Sequence, residues 1–167
     1  MNQKTKPLVD YRLATIKDLD TVALFGKELI DSHKKYGWYY EFKKDYSKII
    51  KKEFEGAIKS KRSFILVAET KGKLIGCALV NIYDKPQESI PIYKWGLEAE
   101  LVELYVKKGH REHKIGENLL AKSAELAKKR GCEMLMLIID RKNRRAAKFY
   151  KKEGLDFYDE VYVRRLK

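Results

Sequence analysis

The chain has 167 residues, which is enough for one domain with its own hydrophobic core. Hydrophobic residues make up 44% of it, and no apolar run approaches the roughly 20 residues that span a membrane, so a disordered chain and a transmembrane protein are both excluded. The 37 Lys and Arg residues exceed the 24 Asp and Glu residues and favour an anionic partner, although the positive charges are spread along the whole chain.

The N-terminal part of the sequence predicts one strand followed by two helices. Residues 9–13 predict a short strand, and Thr15 with Asp18 three positions later is the pattern of a helix start. Apolar residues then recur at helical spacing through Ser32, and they do so again over residues 46–58. These two segments therefore predict amphipathic helices with one face turned to a core.

The middle of the sequence predicts a hairpin, a loop and another strand. Two β-rich runs flank Lys71-Gly72-Lys73, which is a turn signal typical of a β-hairpin. Pro86 and Pro91 mark a long loop, of the length that is often functional. Residues 99–106, AELVELYV, predict a strand that leads into a basic turn.

The C-terminal part predicts two more helices that alternate with strands. Residues 116–130 are amphipathic, and a glycine follows them as a helix stop. The nearly all-apolar residues 133–140 predict a strand buried on both faces, 141–154 a short helix, and 155–166 one bent strand or two short ones. The order β-α-α-β-β-β-α-β-α-β predicts a single α/β (α+β) domain over residues 1–167, with its sheet covered by helices.

The basic turn after the strand at 99–106 is a candidate anion site. A helix N-terminus presents unpaired backbone N–H groups and a positive dipole, and here Lys107, Lys108, Arg111 and Lys114 add charge beside it. The turn matches neither the Walker loop nor the dinucleotide-binding fingerprint. An ordinary solvated loop explains the same residues, so the turn by itself leaves both interpretations open.

Two patterns around this turn resemble those of the GNAT superfamily of N-acetyltransferases. The family carries Arg/Gln-x-x-Gly-x-Gly/Ala at the start of the helix after its fourth strand, and later Asn-x-x-Ala-x-x-Phe/Leu-Tyr-x-x-x-Gly-Phe. The first falls on Arg111-Glu112-His113-Lys114-Ile115-Gly116, and the second on Asn143, Ala146, Phe149, Tyr150, Gly154 and Leu155. The upstream strands and helix also look like the family's, so the resemblance covers nearly the whole chain. It implies a mixed, mostly antiparallel central sheet flanked by helices.

The resemblance implies acetyl-CoA as the cosubstrate and no metal. It implies transfer of the acetyl group to a primary amine, on a small molecule or a protein, within a ternary complex. The backbone of Leu104, Tyr105 and Val106 would pair with the pantetheine arm, and the pyrophosphate would lie among the backbone N–H groups of Arg111, Glu112, His113, Lys114, Ile115 and Gly116. Asn143 would contact the cofactor, and its alternative role is the N-cap of the following helix.

Three residues are candidates for proton transfer. Tyr150 matches the tyrosine that protonates the leaving thiolate in the family, and a phenol with a pKa of about 10 is suited to that step; its alternative is a core aromatic. Glu100 lies eleven residues before Arg111, where the family's histone acetyltransferases place a glutamate base. Glu103 is the second candidate base, and strand alternation predicts that it faces the opposite side of the sheet. The alternative for both is a solvated or ion-paired carboxylate.

The sequence departs from the family pattern at two positions. Lys114 stands where the family has the first loop glycine, and Leu155 where it has phenylalanine. We expect the loop to form without a positive φ at Lys114, because a side chain there incurs a steric cost that glycine avoids. Aromatic residues in 36–42 and 92–96 would line the acceptor side or, alternatively, pack in the core or in a homodimer.

Two other classes of function remain as alternatives. The net charge of +13 motivates a nucleic-acid-binding module, but the sequence has no RNP, zinc or helix-turn-helix pattern. Lys114 motivates an inactive acyl-CoA sensor on the same fold. Cys77 and Cys132 are too few for a disulfide framework and the histidines lack partners at ligand spacing, so we expect a cytoplasmic protein with no metal site, no membrane partner and no signal peptide.

Overall fold

The computed structural model describes residues 8–36, 42–84 and 96–157, which form one five-stranded sheet with helices on both faces. The strands are β1 (Asp10–Leu13), β2 (Ser63–Thr70), β3 (Lys73–Asp84), β4 (Leu97–Val106) and β5 (Cys132–Met136). The helices are α1 (Leu19–His33), α2 (Tyr46–Lys59), α3 (Ile115–Lys129) and α4 (Arg144–Lys152). The predicted element order is confirmed as far as α4.

The strands lie in the order β1-β2-β3-β4-β5. All neighbours pair antiparallel except β4 and β5, which are parallel. The mixed, mostly antiparallel sheet predicted from the sequence is therefore confirmed. The predicted final strand at 155–166 falls almost entirely outside the described residues, and its first three residues are not in a strand.

The sheet separates two hydrophobic clusters. One, here called the α3-face cluster, joins α3 to the sheet and includes Leu119, Ala78 and Leu101. The other, here called the α1-face cluster, joins α1 and α2 to the opposite face and includes Phe54 and Val67. Because β2 and β3 contribute to both clusters, they read as continuous apolar runs rather than as alternating ones.

Strand β5 is shorter than the apolar run that predicts it. The run over 133–140 predicts a strand of that length, but β5 ends at Met136, and Ile138 is 77% exposed. Strand β5 pairs with β4 only as far as Met136, and beyond it the chain turns toward α4. Helix α4 begins later than predicted, because Asn143 caps it by accepting a hydrogen bond from Ala146 N at 3.2 Å.

Helix α1 is fixed to the sheet by a partly buried ion cluster at its start. Asp18 accepts a hydrogen bond from Thr15 N at 2.8 Å, and the guanidinium of Arg12 lies 2.8 Å from Asp18 and 2.7 Å from Glu69 on β2. The guanidinium lowers the pKa of Asp18 to about 2, since it stabilises the charged carboxylate. None of the described helices is both long and apolar enough to cross a bilayer.

Candidate active site

Strands β4 and β5 separate halfway along β4. The pairing runs from Leu97 opposite Cys132 to Glu100 opposite Met136. From Leu101 to Val106, β4 continues to pair with β3 on one edge, and no described strand covers its other edge. An open backbone edge inside a sheet can bind an extended chain by strand-like hydrogen bonds. The opening therefore places free backbone groups of β4 beside the turn that leads to α3.

A β-bulge in β4 changes which side chains share a face. Leu101 lies opposite Val80 but Glu103 lies opposite Leu79, so one extra residue, Val102, is inserted between them. Glu100 lies opposite Asn81, two residues from Leu79, so both glutamates are on the α1 face of the sheet. The prediction that Glu103 faces away from Glu100 is wrong, because simple alternation does not hold across a bulge.

Glu103 is buried between the sheet and two helices. It is 9% exposed, and no group among the described residues forms a hydrogen bond with its Oε2. A Cβ added at Gly26 of α1 would lie 2.9 Å from that oxygen and 2.7 Å from Cζ of Phe54, so only glycine lets the helix approach this closely. Burial, and then the charge of Glu53, raise the pKa of Glu103 to about 7. The carboxylate that the sequence ranked second thus has the environment of a proton acceptor near neutral pH.

Tyr105 lies one position further along the same face. Its ring stacks on Phe25 of α1 with centroids 4.7 Å apart, and its hydroxyl donates a hydrogen bond to Glu28. Burial, together with the hydrogen bond to Glu28, raises the pKa of Tyr105 to about 12. The side chain therefore belongs to the α1-face cluster, while the prediction for this residue concerned its backbone.

The start of α3 is not capped by the protein within the described residues. Lys114 occupies the N-cap position without a side-chain hydrogen bond, and the first helical bond runs from Asn118 N to Lys114 O at 2.9 Å. No described group accepts a hydrogen bond from the backbone N–H groups of residues 112–116. These groups and the helix dipole form the arrangement that binds phosphate in other proteins.

The turn before α3 uses positive φ angles at residues other than glycine. Lys114 has a φ of 60° and Glu112 a φ of 71°. The expectation that Lys114 avoids a positive φ is therefore wrong, and the backbone keeps the left-handed conformation for which the family uses glycine. Such a conformation costs a residue with a Cβ on the order of 1 kcal/mol.

Arg111 and His113 stabilise the turn itself. Arg111 Nε donates to Val106 O at 3.0 Å, and His113 Nδ1 lies 2.8 Å from Arg111 O. Lys107 N donates to Ile75 O at 2.8 Å and keeps the end of β4 on β3. The carbonyl of Val106 is thus already bonded to the Arg111 side chain. Tyr105, like Lys107, turns its backbone groups toward β3, so Leu104 is the better-placed backbone partner for an extended ligand.

Helix α4 brings Tyr150 to this region. Phe149 packs close to Gly116, where an added Cβ would lie 3.6 Å from its Cζ, and Lys152 Nζ lies 2.6 Å from Glu117 Oε1. Tyr150 is half-buried in the α3-face cluster, as are Leu104 and Val106, and burial raises its pKa to about 12. The hydroxyl is therefore kept protonated at neutral pH. Ile115 is buried in the same cluster and can offer a ligand only its backbone.

The remaining predicted site residues are a helix cap and two aromatic segments. Asn143 caps α4, which confirms its structural alternative, and its contact with a cofactor stays a prediction. The aromatic segments at 36–42 and 92–96 lie largely outside the described residues. Among the residues that the structure does describe, no group of three or more His, Cys, Asp or Glu could hold a metal ion.

Sequence reasoning missed Gly26, Phe54 and Glu28, which line the α1 face beside Glu103 and Tyr105. One signal was available for them. An isolated glycine inside a helical pattern carries a cost in helix stability and often marks a close contact, and Gly26 interrupts the pattern of α1 in this way. Which partner it contacts could not be read from spacing, because α2 and β4 are distant in the sequence.

Comparison with known proteins yields one family and a set of similar folds. The family model described as the acetyltransferase (GNAT) family matches residues 27–155. A tetramutant protein from Bacillus halodurans has a TM-score of 0.82 at 19% identity, over 94% of this chain and 99% of that chain. The aminoglycoside N-acetyltransferase AAC(6')-Iy in complex with CoA has a TM-score of 0.77 at 15% identity, over 97% of each chain.

A further similar structure is a predicted acetyltransferase with acetyl-CoA from Clostridium acetobutylicum. Its TM-score is 0.73 at 23% identity, over 95% of this chain and 97% of that chain. At such identities the similarity shows the fold alone. The family match spans most of the sequence and includes the open edge of β4, the turn before α3 and helix α4. The chain belongs to the acetyltransferase (GNAT) family.

Proposed function

We propose that this protein is an N-acetyltransferase that moves an acetyl group from acetyl-CoA to a primary amine within a ternary complex. The observation that carries the proposal is the uncapped start of α3 beside the open edge of β4. Relatives of the same fold contain CoA or acetyl-CoA, which supports this cosubstrate.

Two parts of this chain would hold the cosubstrate. The backbone N–H groups of residues 112–116 bind the diphosphate, as helix N-termini do elsewhere, and Lys107, Lys108 and Lys114 add positive charge around it. The open edge at Leu104 bonds the amide groups of the pantetheine arm in the manner of an added strand. The thioester then lies in the opening between β4 and β5.

The amine must lose a proton before it can attack. Glu103 is the better candidate base, because a pKa of about 7 balances availability of the charged form against proton affinity at neutral pH. Glu100 is the alternative, since it lies half-buried on the same face. The carboxylate takes the proton of the ammonium group, and the nitrogen lone pair then forms a C–N bond to the thioester carbon. The second nitrogen proton passes to solvent, which later returns a proton to Tyr150.

Tyr150 completes the transfer from the other face of the sheet. When the C–S bond breaks, its electron pair stays on sulfur, and the Tyr150 hydroxyl donates the proton that makes the free thiol. The raised pKa keeps the hydroxyl protonated but makes it a weaker acid than a free phenol, so the role rests on the match of Tyr150 to the family pattern and not on its pKa. No metal is required by this scheme.

The test combines binding with turnover. We expect calorimetry to detect binding of CoA and of acetyl-CoA to the protein. We also expect free thiol to be released from acetyl-CoA only when an amine is added. The acceptor class is supported by AAC(6')-Iy, whose structure with a bisubstrate analogue of CoA and an acetylneamine has a TM-score of 0.74. Binding without turnover over a broad panel of amines would favour the sensor, and absence of CoA binding would overturn the proposal.

We also propose a single functional unit over residues 1–167 in the cytoplasm. Cys77 and Cys132 are both buried and free, which suits a reducing compartment. Nucleic acid is not proposed as a partner. Binding to random-sequence DNA is therefore expected to be absent at physiological salt, and a steep salt-dependent affinity would reopen that alternative.

A further inference from the structure

A surface cavity of about 530 Å³ lies at the end of the sheet opposite the turn before α3. It is bounded by the segment after α2, the end of β3, the start of β4 and the end of α3, and its described lining residues are Ser60, Lys61, Arg62, Ile82, Leu97 and Arg130. Strand β4 runs from Leu97 at this cavity to Val106 at the turn, and a strand of ten residues spans about 30 Å. The cavity is therefore separate from the candidate active site.

Arg130 is held in one position at the cavity. Its Nη1 donates to Ser63 O at 3.1 Å, and its guanidinium carbon lies 4.7 Å from the centre of the Phe64 ring, which is buried. Among the described residues no group accepts a hydrogen bond from its Nε or Nη2. Arginine binds phosphate through such paired N–H groups, and a side chain that is already immobilised loses little entropy when it does so.

Lys61 and Arg62 add two more cations at the cavity. The backbone places them, since Ile82 N donates to Arg62 O at 2.8 Å and Arg62 N donates to Ser60 Oγ at 2.9 Å. In the described parts of the chain, none of Lys61, Arg62 and Arg130 forms an ion pair with a carboxylate. The described lining residues include no carboxylate either, so the charge of the cavity is positive.

This positive charge exceeds what the neighbouring helix ends balance. Helices α2 and α3 both end at the cavity, and a helix C-terminus carries about half a negative charge. Two such ends offset about one of the three cations. Beside the cations, Ile82 is buried and Leu97 half-buried, and both supply apolar surface. Binding sites for small molecules combine apolar walls with a few charged groups in this way.

We propose that this cavity is a second ligand site, which binds a small phosphate monoester whose organic group is apolar. The three cations match the double negative charge of such a phosphate, and Ile82 and Leu97 contact the organic group. A ligand held there contacts the segment after α2, the start of β4 and the end of α3 together, so binding stabilises the folded chain. The proposal does not rest on acetyl transfer.

The direct test locates binding residue by residue. The complete, isotope-labelled protein is titrated with phenyl phosphate, and NMR follows the backbone amides at the cavity and at residues 112–116, where a phosphate can also bind. We expect saturable shifts at Arg62, Ile82 and Leu97, and at least about tenfold weaker binding of inorganic phosphate and of phenol at these positions. Shifts confined to residues 112–116 would overturn the proposal, as would equal affinity for inorganic phosphate.

A matched pair of variants tests the cations. Arg62→Gln removes one charge at the cavity, and Lys73→Gln removes an exposed charge at the other end of β3 from Ile82. We expect Arg62→Gln to weaken binding of phenyl phosphate at the cavity by about three- to tenfold, and Lys73→Gln to leave it unchanged. Both side chains are exposed, so both variants should fold. Equal affinities in the two variants would contradict the proposal.

Discussion

Glu103 and Tyr150 lie on opposite faces of the sheet, beside the half of β4 that β5 leaves uncovered. Glu103 faces the α1-face cluster, and Tyr150 packs in the α3-face cluster. Their environments move their pKa values to about 7 and about 12, which separates a proton acceptor from a proton donor. A thioester in the opening would be attacked from one face and would release its sulfur toward the other.

Tyr150→Phe tests the proposed acid. We expect kcat to fall by at least about tenfold while the dissociation constant for acetyl-CoA changes less than about twofold, because only the hydroxyl is removed from a packed ring. Steady-state thiol release and calorimetry measure the two quantities. Phe149→Leu is the packing control, and we expect it to affect stability more than the pH profile. An unchanged kcat in Tyr150→Phe would remove the role.

Glu103→Gln separates function from stability. The pKa of Glu103 is raised from 4.5 to about 7 on folding, so the folded state binds the proton more tightly and Glu103 destabilises the protein as pH rises through that window. We expect Glu103→Gln to raise the free energy of unfolding above pH 7 by up to about 3 kcal/mol and to lose that gain near pH 4. Urea unfolding across this pH range measures it.

The same Glu103→Gln variant should be at least about tenfold slower in thiol release if the carboxylate is the base. A more stable but slower enzyme is the expected combination. Glu125→Gln, at an exposed position, is the control for the loss of one negative charge. A variant that is fully active at all pH values would leave Glu100 as the remaining candidate base.

Lys114→Gly tests the strained turn. Because the φ of Lys114 is 60°, glycine should relieve steric cost and raise the free energy of unfolding by about 0.5–1 kcal/mol. Loss of the cation should at the same time weaken CoA binding by a few-fold. Lys107→Gly is the matched control, since Lys107 has a φ of −55° and glycine gains nothing there. Equal destabilisation by both substitutions would show that the turn is not strained.

Gly26→Ala tests the close contact that encloses Glu103. Alanine normally stabilises a helix interior by about 1 kcal/mol over glycine, but here its Cβ would lie 2.7 Å from Cζ of Phe54. We therefore expect a net loss of about 1–3 kcal/mol. Gly56→Ala in α2 is the control, because its Cβ would meet nothing within 4 Å, and we expect it to stabilise the protein. Thermal unfolding compares the two directly.

The sequence predicted the element order well because each element carries its own local signal. The hairpin at Lys71-Gly72-Lys73, the stop at Gly131 and the helical spacing of α1 and α2 are all set by neighbouring residues. The two motifs that resemble the GNAT pattern lie on the turn before α3 and on α4, where the structure has them. The helix start at Lys114 has no capping side chain, so its backbone N–H groups are free to bind an anion. This feature is also set by neighbouring residues.

The tertiary structure alone decided how the candidate site is arranged. The bulge at Val102 arises from pairing between β3 and β4, so no periodicity in β4 could place Glu103 beside Glu100. The pKa of Glu103 depends on burial under Gly26 and Phe54, which come from two helices far away in the sequence. Local patterns specify elements because their causes lie within a few residues, whereas electrostatic environments arise only when distant segments exclude water from the same group.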